Sequence, residues 1–372
     1  MDVFFNKINL DLLKNKTPSP YSGHLYKLLK NADVSQKCNI KIERNIPGNR
    51  KPKREPSKYF DTEIQDHIYK NNHNRYDRVV ILFNNRTITL NFIPLKQEDE
   101  GYFMPYMKCL TLWYKLMNML CPNPYCNKTL DIDIYLSGFK KQLPNAPNQI
   151  LGSKQVNSAF TYPCNENGTI MIYRKEEWFK VLLHECIHSF CLDFSLMNQK
   201  GMTKKLSRVF GAYVSSPRYS ETYAELWAQL LQCAMAAYFE SKANIELFSL
   251  LFDFYTQLEY IHSVNVAVNI LKYMNLSYST LREKKLFNQH SHIFEYYILK
   301  TVVLSDYNAF LSWCLKMNGY NMIPFKQTNA NCISFCNLIV ECYINPMFIG
   351  SIHQIGYRIG STSLRMSIVD II

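Results

Sequence analysis

The most informative segment of this 372-residue chain is His184-Glu185-Cys186-Ile187-His188. On an α-helix, residues four positions apart lie about 40° apart around the axis, so the rings of His184 and His188 project side by side and can share one metal ion. Two neutral imidazoles suit zinc. Glu185 is close enough on the same helix to reach a water molecule on that ion without binding the ion itself. The pattern therefore predicts a metal site with a general base beside it.

The residues around this pattern predict a helix that is buried on its far side. Glu176 and Glu177 place negative charge at the expected N-terminus, where the helix dipole favours it. The face opposite the two histidines is apolar, as expected of a helix that packs against a core. This face carries Trp178, Phe179, Leu182, Leu183, Cys186 and Phe190.

A catalytic zinc site usually has three protein ligands, so the chain has to supply a third. A histidine six residues after His188 would serve, but that position is Phe194. Asp193 is nearer, yet on a continuing helix it would point to the side opposite His188. The third ligand is therefore expected from a later segment.

The segment that begins at Ser220 supplies better candidates, on a helix predicted to run to about Phe239. One stripe of this helix is formed by Glu221, Glu225, Ala228 and Gln232. Glu221 is the predicted third ligand, and Glu225 is predicted to accept the other ring N–H of a liganding histidine. Alternatively, both glutamates simply begin an exposed helix whose dipole favours them. The upstream histidines favour the metal site.

The two predicted helices resemble those of the zincin metallopeptidases of the gluzincin type, in which two histidines and a glutamate from a later helix bind zinc. The Glu-x-x-Ala-Glu arrangement of residues 221–225 is similar to the third-ligand helix of the anthrax lethal factor catalytic domain. There, a tyrosine shortly before that helix helps to stabilise the transition state, which implies this role for Tyr213 or Tyr219. Residues 174–180 and 191–195 also resemble metallopeptidase sequences of large DNA viruses.

Short β-rich runs precede the motif helix. Residues 78–83 and 86–93 predict a hairpin, because Asn84 and Asn85 between them tolerate the positive φ of a tight turn. Further strands are predicted at residues 130–136, 157–162 and 169–174. The resemblance to zincins implies a twisted sheet against the active-site helix, with an edge strand that binds an extended peptide. Residues 169–174 are the candidate for that edge strand, and an ordinary inner strand is the alternative.

The sequence predicts an α+β fold in three parts. Residues 1–75 form a basic N-terminal region with a linker, residues 76–245 a zincin-like catalytic domain, and residues 246–372 a mainly helical C-terminal subdomain. Helical patterns in the last part cover residues 247–275, 292–317 and 331–343. Its isolated histidines are interpreted as surface or core residues rather than ligands. These are His262, His290 and His292.

Composition limits the class of protein. Hydrophobic residues make up 47% and charged residues 19% of the chain, which is typical of a folded globular protein. No stretch reaches the roughly 18 apolar residues of a membrane span, and the N-terminus lacks the pattern of a secretory signal. We therefore expect a soluble protein in the cytoplasm, or in a virus particle if the source is viral. The 12 cysteines are then expected to be thiols rather than disulfides.

Residues 41–58 carry seven lysines and arginines against two glutamates, together with three prolines. With the net charge of +12, this segment could contact nucleic acid through its phosphates. It lacks interleaved aromatic residues and a recognisable binding fold. The sequence therefore favours a solvated loop or linker.

Together these features predict a zinc-dependent metallopeptidase that acts on peptide or protein substrates. The predicted zinc ligands are His184, His188 and Glu221. Glu185 would act as the general base, and Tyr213 or Tyr219 would donate a hydrogen bond to the oxyanion. The alternative is a catalytically silent zincin-like structural or binding protein. An intact Glu185 argues against this alternative, because a structural metal site needs no base.

Overall fold

A computed structural model describes residues 18–35, 37–71, 74–96, 99–146, 149–211, 213–214, 216–242, 244–283, 286–287, 289–355 and 361–370. The strands are β1 (Asn39–Pro47), β2 (Arg75–Phe83), β3 (Arg86–Ile93), β4 (Thr129–Tyr135), β5 (Ala159–Thr161), β6 (Asn167–Ile172), β7 (Tyr213–Val214) and β8 (Leu286–Phe287). The helices are α1 (Ser22–Asp33), α2 (Thr62–Asn71), α3 (Met107–Leu120), α4 (Ser153–Val156), α5 (Trp178–Ser189), α6 (Lys200–Leu206), α7 (Tyr219–Glu240), α8 (Ile245–Tyr273), α9 (Lys300–Leu304), α10 (Tyr307–Asn318), α11 (Asn329–Tyr343) and α12 (Pro346–Ile355). A π-helical segment, Phe294–Leu299, precedes α9.

The main sheet is mixed and has the strand order β1-β2-β3-β4-β6-β5. Strands β1, β2 and β3 are antiparallel neighbours, β3, β4 and β6 are parallel, and β5 is antiparallel to β6. Strands β7 and β8 form a separate parallel pair. The α+β class predicted from the sequence is confirmed at this level.

The hairpin predicted around Asn84 and Asn85 is present as β2 and β3. These two residues have φ values of 48° and 62°, which matches the preference of asparagine for the left-handed region in a two-residue turn. Phe83 pairs with Arg86 directly across the turn. The turn therefore sets the register of the whole antiparallel half of the sheet.

The prediction that residues 169–174 form the edge strand is wrong. Strand β6 covers Asn167–Ile172 and lies between β4 and β5, so it is an inner strand. The edge is β5. Alternation of apolar and polar residues identifies a half-buried strand, but inner and edge strands can share this pattern, so sequence alone did not separate the two.

The prediction that residues 41–58 form a loop is wrong for the first part of that segment. Residues 41–47 belong to β1, which is the other edge strand of the sheet. Most side chains of β1 are exposed, as its charged composition requires. Charged residues on an edge strand discourage pairing with another chain, so the composition of a solvated loop also suits this position.

Helix α5, which carries the motif, is buried along its whole length. It packs against β5 and β6 on the sheet and against α7. Helix α7 is buried from Tyr219 to Tyr238 and also contacts α1, α8, α9 and the π-helical segment. A helix that is largely apolar around its circumference belongs in the centre of a protein, which explains why the other helices surround α7.

The principal hydrophobic core extends from Leu25 in α1 to Val369 near the end of the chain. A smaller cluster surrounds Phe60, Tyr76 and Tyr173. The principal core includes residues on both sides of the boundaries predicted at 75 and 245, and the division into three parts stays a prediction. Within the part of the chain that the structure describes, no helix combines the length and apolar character needed to cross a membrane.

Residues 361–370, named here the C-terminal strap, lie without helix or strand against the helical core. The strap is held by buried polar side chains. Glu259 of α8 accepts hydrogen bonds from the backbone N–H groups of Ile368 and Val369, and Gln229 of α7 donates to the carbonyl of Met366. Leu364, Met366, Ser367 and Val369 of the strap are buried, so its central part belongs to the interior.

Candidate metal centre

The N-terminus of α5 is fixed by a buried glutamate. Glu177 directly precedes the first helical residue and has a φ of 58°. Its carboxylate accepts a hydrogen bond from Lys141 Nζ at 2.8 Å and another from the backbone N–H of Ser367 in the C-terminal strap. The orientation of the motif helix thus depends on residues that are distant in the sequence.

Helices α5 and α7 run antiparallel, and their contacts bring the predicted ligands together. Glu221, in the first turn of α7, contacts both His184 and His188. One turn later, Glu225 contacts His184 and also Lys180, which lies one turn earlier on α5. The three predicted ligands and the predicted supporting carboxylate therefore meet at one place.

Three ligand atoms form a nearly equilateral triangle at this place. His184 Nε2 and His188 Nε2 are 3.2 Å apart, and Glu221 Oε2 lies 3.3 Å from the first and 3.2 Å from the second. Two atoms bound at about 2.0–2.1 Å to one tetrahedral zinc ion lie roughly 3.4 Å from each other. The spacing and the N₂O composition of this triangle fit zinc.

The other ring nitrogen of each histidine faces a carboxylate. His184 Nδ1 lies 3.0 Å from Glu225 Oε2, and His188 Nδ1 lies 2.7 Å from Asp193 Oδ2. An ionised carboxylate only accepts hydrogen bonds, so both Nδ1 atoms carry a proton, and each ring would present an Nε2 lone pair to a metal ion that displaces the second proton. Lone pairs that converge at this distance repel one another unless a cation or protons lie between them.

Asp193 was predicted to point away from His188, and this prediction is wrong. The expectation assumed that the helix continues, but α5 ends at Ser189. Cys191 then adopts a φ of 54°, which reverses the chain. The reversal returns Asp193 to the ring of His188. Its role here is to orient the ring, since its oxygen contacts Nδ1 rather than the triangle.

The electrostatics of the site favour positive charge. Burial lowers the pKa of His188, but the carboxylates of Glu221 and Asp193 outweigh burial and hold the pKa well above its usual value. Burial raises the pKa of Glu221, but His188 and His184 outweigh it and hold the pKa well below the usual range. A metal ion would compete with protons for the same atoms.

Lys180 was not predicted as part of the site. It is buried beside Glu225. Burial raises the pKa of the Glu225 carboxyl group, but Lys180 and His184 outweigh burial, so that the pKa is lowered overall. Lys180 lies four residues before His184, on the same stripe of α5 as both histidines. This spacing was a signal in the sequence that could have identified it.

Glu185 lies beside the triangle, as the pattern predicted. Burial raises the pKa of its carboxyl group, and the neighbouring histidines oppose this shift only in part. Among the described residues, none donates a hydrogen bond to its carboxylate. A carboxylate with a raised pKa and no fixed partner is suited to accept and release a proton near neutral pH.

The structure does not bring Tyr219 to the three ligand atoms. The Tyr219 side chain is buried beside Thr203 and Glu295. The backbone of Tyr213 lies in β7, and its side chain is outside the described part of the structure. The tyrosine that reaches the site is Tyr296, whose hydroxyl group donates a hydrogen bond to Glu221 Oε2 at 3.2 Å.

Tyr296 belongs to the π-helical segment, and His292 lies just before that segment. The ring of Tyr296 packs edge to face against the rings of His184 and His292. Burial lowers the pKa of His292, and its Nδ1 has no hydrogen-bond partner among the described residues. No motif marks these residues in the sequence. A cavity of about 530 Å³ adjoins His292 and is also lined by Ser57, Lys58, Lys154 and His290.

No known protein family, curated protein or solved structure matches the chain.

Proposed function

We propose that this protein is a zinc-dependent metallopeptidase, with zinc held by His184, His188 and Glu221. One observation carries the proposal. Two Nε2 atoms and a carboxylate oxygen converge at 3.2–3.3 Å, while the adjacent Glu185 carboxylate accepts no hydrogen bond from a described residue. A site that served only to stabilise the fold would need the triangle but not the additional carboxylate.

A zinc ion held there would lower the pKa of a water molecule and polarise the carbonyl group of a peptide bond. The Glu185 carboxylate would accept the proton of the attacking water. It would then pass that proton to the amine that leaves. Its raised pKa suits both steps, since a base whose pKa is far below neutral would hold the proton too weakly to deliver it.

The hydroxyl group of Tyr296 would donate a hydrogen bond to the oxygen of the reacting carbonyl as negative charge develops on it. It is already held in the site by its bond to Glu221, so little reorientation is required. This assignment replaces Tyr213 and Tyr219. Glu225 and Asp193 keep the imidazole rings in place and in the required tautomer.

An extended peptide is the substrate that the surroundings suit. Strand β5 is the end strand of the sheet, and α5 packs directly against it. An edge strand offers main-chain hydrogen bonds to an added strand, which would lay a peptide beside the motif helix. The polar cavity next to His292 would receive a side chain of that peptide.

The first experiment compares wild-type protein with Glu185→Gln on a library of peptides of mixed sequence. Both proteins are full length and loaded with zinc. Glu185→Gln removes the base but none of the three ligands, so the zinc content should stay the same while kcat/KM falls about 10²–10⁴-fold. The chelator 1,10-phenanthroline should abolish wild-type turnover, and added zinc should restore it.

Two further variants control this comparison. Glu221→Ala removes a ligand, so zinc content as well as turnover should fall. Glu240→Gln, at the far end of α7, makes the same chemical change away from the site and should alter neither. Equal turnover in Glu185→Gln and wild type would reject Glu185 as the base. Zinc binding without hydrolysis of any peptide in the library would favour the silent binding protein instead.

A further inference from the structure

A second group of metal-binding side chains lies just beyond the C-terminal end of α5. The sulfur atoms of Cys126, Cys164 and Cys191 all lie within 4.8 Å of one another. Cys126 and Cys164 are joined by a disulfide bond, whereas Cys191 is a free thiol. The expectation that all cysteines are thiols is therefore wrong for one pair. None of these residues takes part in the peptidase mechanism.

A fourth cysteine lies next to this group. The Cys121 thiol donates to the backbone carbonyl of Asn123 at 3.1 Å, and the side-chain amide of Asn123 lies 3.7 Å from Cys164 Sγ. Cys121 is also close enough to Cys191 to act on its thiol electrostatically. The four cysteines, Cys121, Cys126, Cys164 and Cys191, are named here the cysteine cluster.

Backbone hydrogen bonds, in addition to the disulfide bond, hold together the segments that carry these cysteines. Cys164 lies in the turn between β5 and β6, and its N–H donates to the carbonyl of Ser189, the last residue of α5. The N–H of Cys191 donates to the carbonyl of His188. In the loop that carries Cys121 and Cys126, the N–H of Asn127 donates to the carbonyl of Asn165 at 2.7 Å. The segments would thus stay together after the disulfide is reduced.

We propose that the cysteine cluster is a second zinc site, which forms when the Cys126–Cys164 disulfide is reduced. A dithiol reductant supplies two electrons and two protons to the disulfide, and is itself oxidised to a disulfide. Zinc then displaces the protons of the thiols, which pass to solvent. Three cysteine sulfurs already lie within 4.8 Å of one another, and Cys121 is the nearby candidate for a fourth ligand. Four thiolates are the ligand set of a closed structural zinc site.

The same three sulfur atoms could instead undergo thiol–disulfide exchange, in which the Cys191 sulfur attacks the Cys126–Cys164 disulfide. It requires a thiolate, because the thiolate is the nucleophile. The Cys191 thiol is buried, and burial disfavours the thiolate. A bound metal ion would deprotonate it directly.

The second zinc ion would hold the end of α5 that carries His188. Its ligands would join three segments: the loop after α3, the turn between β5 and β6, and Cys191, which directly follows the C-cap of α5. The site would thus have a structural role, separate from hydrolysis.

The experiment counts zinc per chain by mass spectrometry after dialysis of the full-length protein. Reduced wild-type protein should hold two zinc ions, and air-oxidised protein with the disulfide intact should hold one. Reduced Cys191→Ser should hold one. Reduced His184→Ala/His188→Ala should also hold one, because it keeps the cysteine cluster. Cys38→Ser, a cysteine outside the cluster, should hold two.

The absorption spectrum of cobalt-loaded wild-type protein tests the proposal without any variant, so it does not depend on whether the variants fold. Cobalt(II) bound by thiolates shows intense sulfur-to-metal charge-transfer absorption, which nitrogen and oxygen ligands do not produce. Reduced wild-type protein loaded with cobalt should show this absorption, and oxidised protein should not. Equal zinc content in reduced and oxidised wild-type protein, or cobalt binding by the reduced protein without the absorption, would overturn the proposal. Neither result would bear on hydrolysis at the first site, so the two proposals fail separately.

Discussion

The hydroxyl groups of Tyr296 and Tyr219 have different partners, although Tyr219 begins α7 and Tyr296 contacts the first turn of that helix. Tyr296 donates to the metal-facing oxygen of Glu221, whereas Tyr219 lies beside Thr203. Tyr296→Phe removes the hydroxyl group and keeps the ring. We expect kcat to fall about 10²-fold with unchanged zinc content, since a donor to the transition state is lost. Steady-state kinetics on a cleaved library peptide measures this.

Tyr219→Phe is the matched control for that variant, because it makes the same change outside the triangle. It should leave kcat as in wild type. If Tyr219→Phe lost activity while Tyr296→Phe retained it, the transition-state role would return to the residue that the sequence predicted.

Glu295 predicts a pH dependence of stability. Burial raises its pKa to about 7, against hydrogen bonds from the Arg218 N–H and from Gln289 that lower it. The folded protein therefore binds this proton more tightly than the unfolded chain. Its stabilising effect is fully present below about pH 4.5 and is lost as pH rises to about 7, a change on the order of 3 kcal/mol.

Glu295→Gln removes this titration, so the variant should gain stability over wild type as pH rises. Urea unfolding of zinc-free protein at pH 5 and pH 8 measures the difference, which should be larger at pH 8. Glu246→Gln, on the exposed first turn of α8, is the control and should follow wild type at both values. Parallel pH curves for Glu295→Gln and wild type would contradict the prediction.

The residues proposed as metal ligands could be identified from the sequence because helical spacing places them side by side. His184 and His188 are one turn apart, and Glu221 and Glu225 repeat that spacing on the partner helix. Asp193 and Tyr296 were not predictable in this way. Asp193 depends on a chain reversal after Ser189, and Tyr296 reaches the site from a segment with no motif of its own.

At the level of elements, the packing of the start of β6 against the C-terminal end of α5 depends on Gly168. A Cβ atom there would lie 2.0 Å from Asn127 Oδ1 and 3.0 Å from Leu130 Cδ1. Asn127 cannot move aside freely, because its Oδ1 accepts a hydrogen bond from Ser189 Oγ at the end of α5. Gly168→Ala should therefore destabilise the protein by about 1–3 kcal/mol through overpacking. Thermal or urea unfolding measures this.

Gly138→Ala is the control, since no atom lies within 4 Å of the Cβ atom that would be added there. It should unfold as wild type does. Equal stability of the two alanine variants would show that the contact at Asn127 relaxes without cost.

Elements whose periodicity is uniform were predicted well. The hairpin, β4, α7 and α8 all appear close to their predicted positions. The helix predicted over residues 292–317 is instead divided into the π-helical segment, α9 and α10. Apolar spacing reports an average of 3.6 residues per turn, so it does not reveal a local change in the hydrogen-bond pattern. Such a change occurs where Tyr296 meets the site.

At the level of the whole molecule, the C-terminal strap is expected to be necessary for folding. Deletion of residues 362–370 would leave the buried carboxylates of Glu177 and Glu259 without the N–H donors of Ser367, Ile368 and Val369. Removing one partner of a buried charged group costs on the order of 3–5 kcal/mol, comparable with the whole stability of many domains. The truncated protein should be largely unfolded by circular dichroism and limited proteolysis.

Hydrogen exchange tests the same contact in the intact protein. The amides of Ser367, Ile368 and Val369 should exchange as slowly as those in the middle of α7, since both require opening of the core. Fast exchange of these three amides, with slow exchange in α7, would show that the strap detaches on its own.

The position of the strap also bears on how the protein matures during translation. The ribosome makes the motif helix and both glutamates of α7 well before it makes Ser367 to Val369. Until Ser367 emerges, the Glu177 carboxylate lacks its strap donor, so one of the contacts that hold the N-terminus of α5 is missing. A nascent chain would therefore carry the three proposed metal ligands before every contact that positions the motif helix can form.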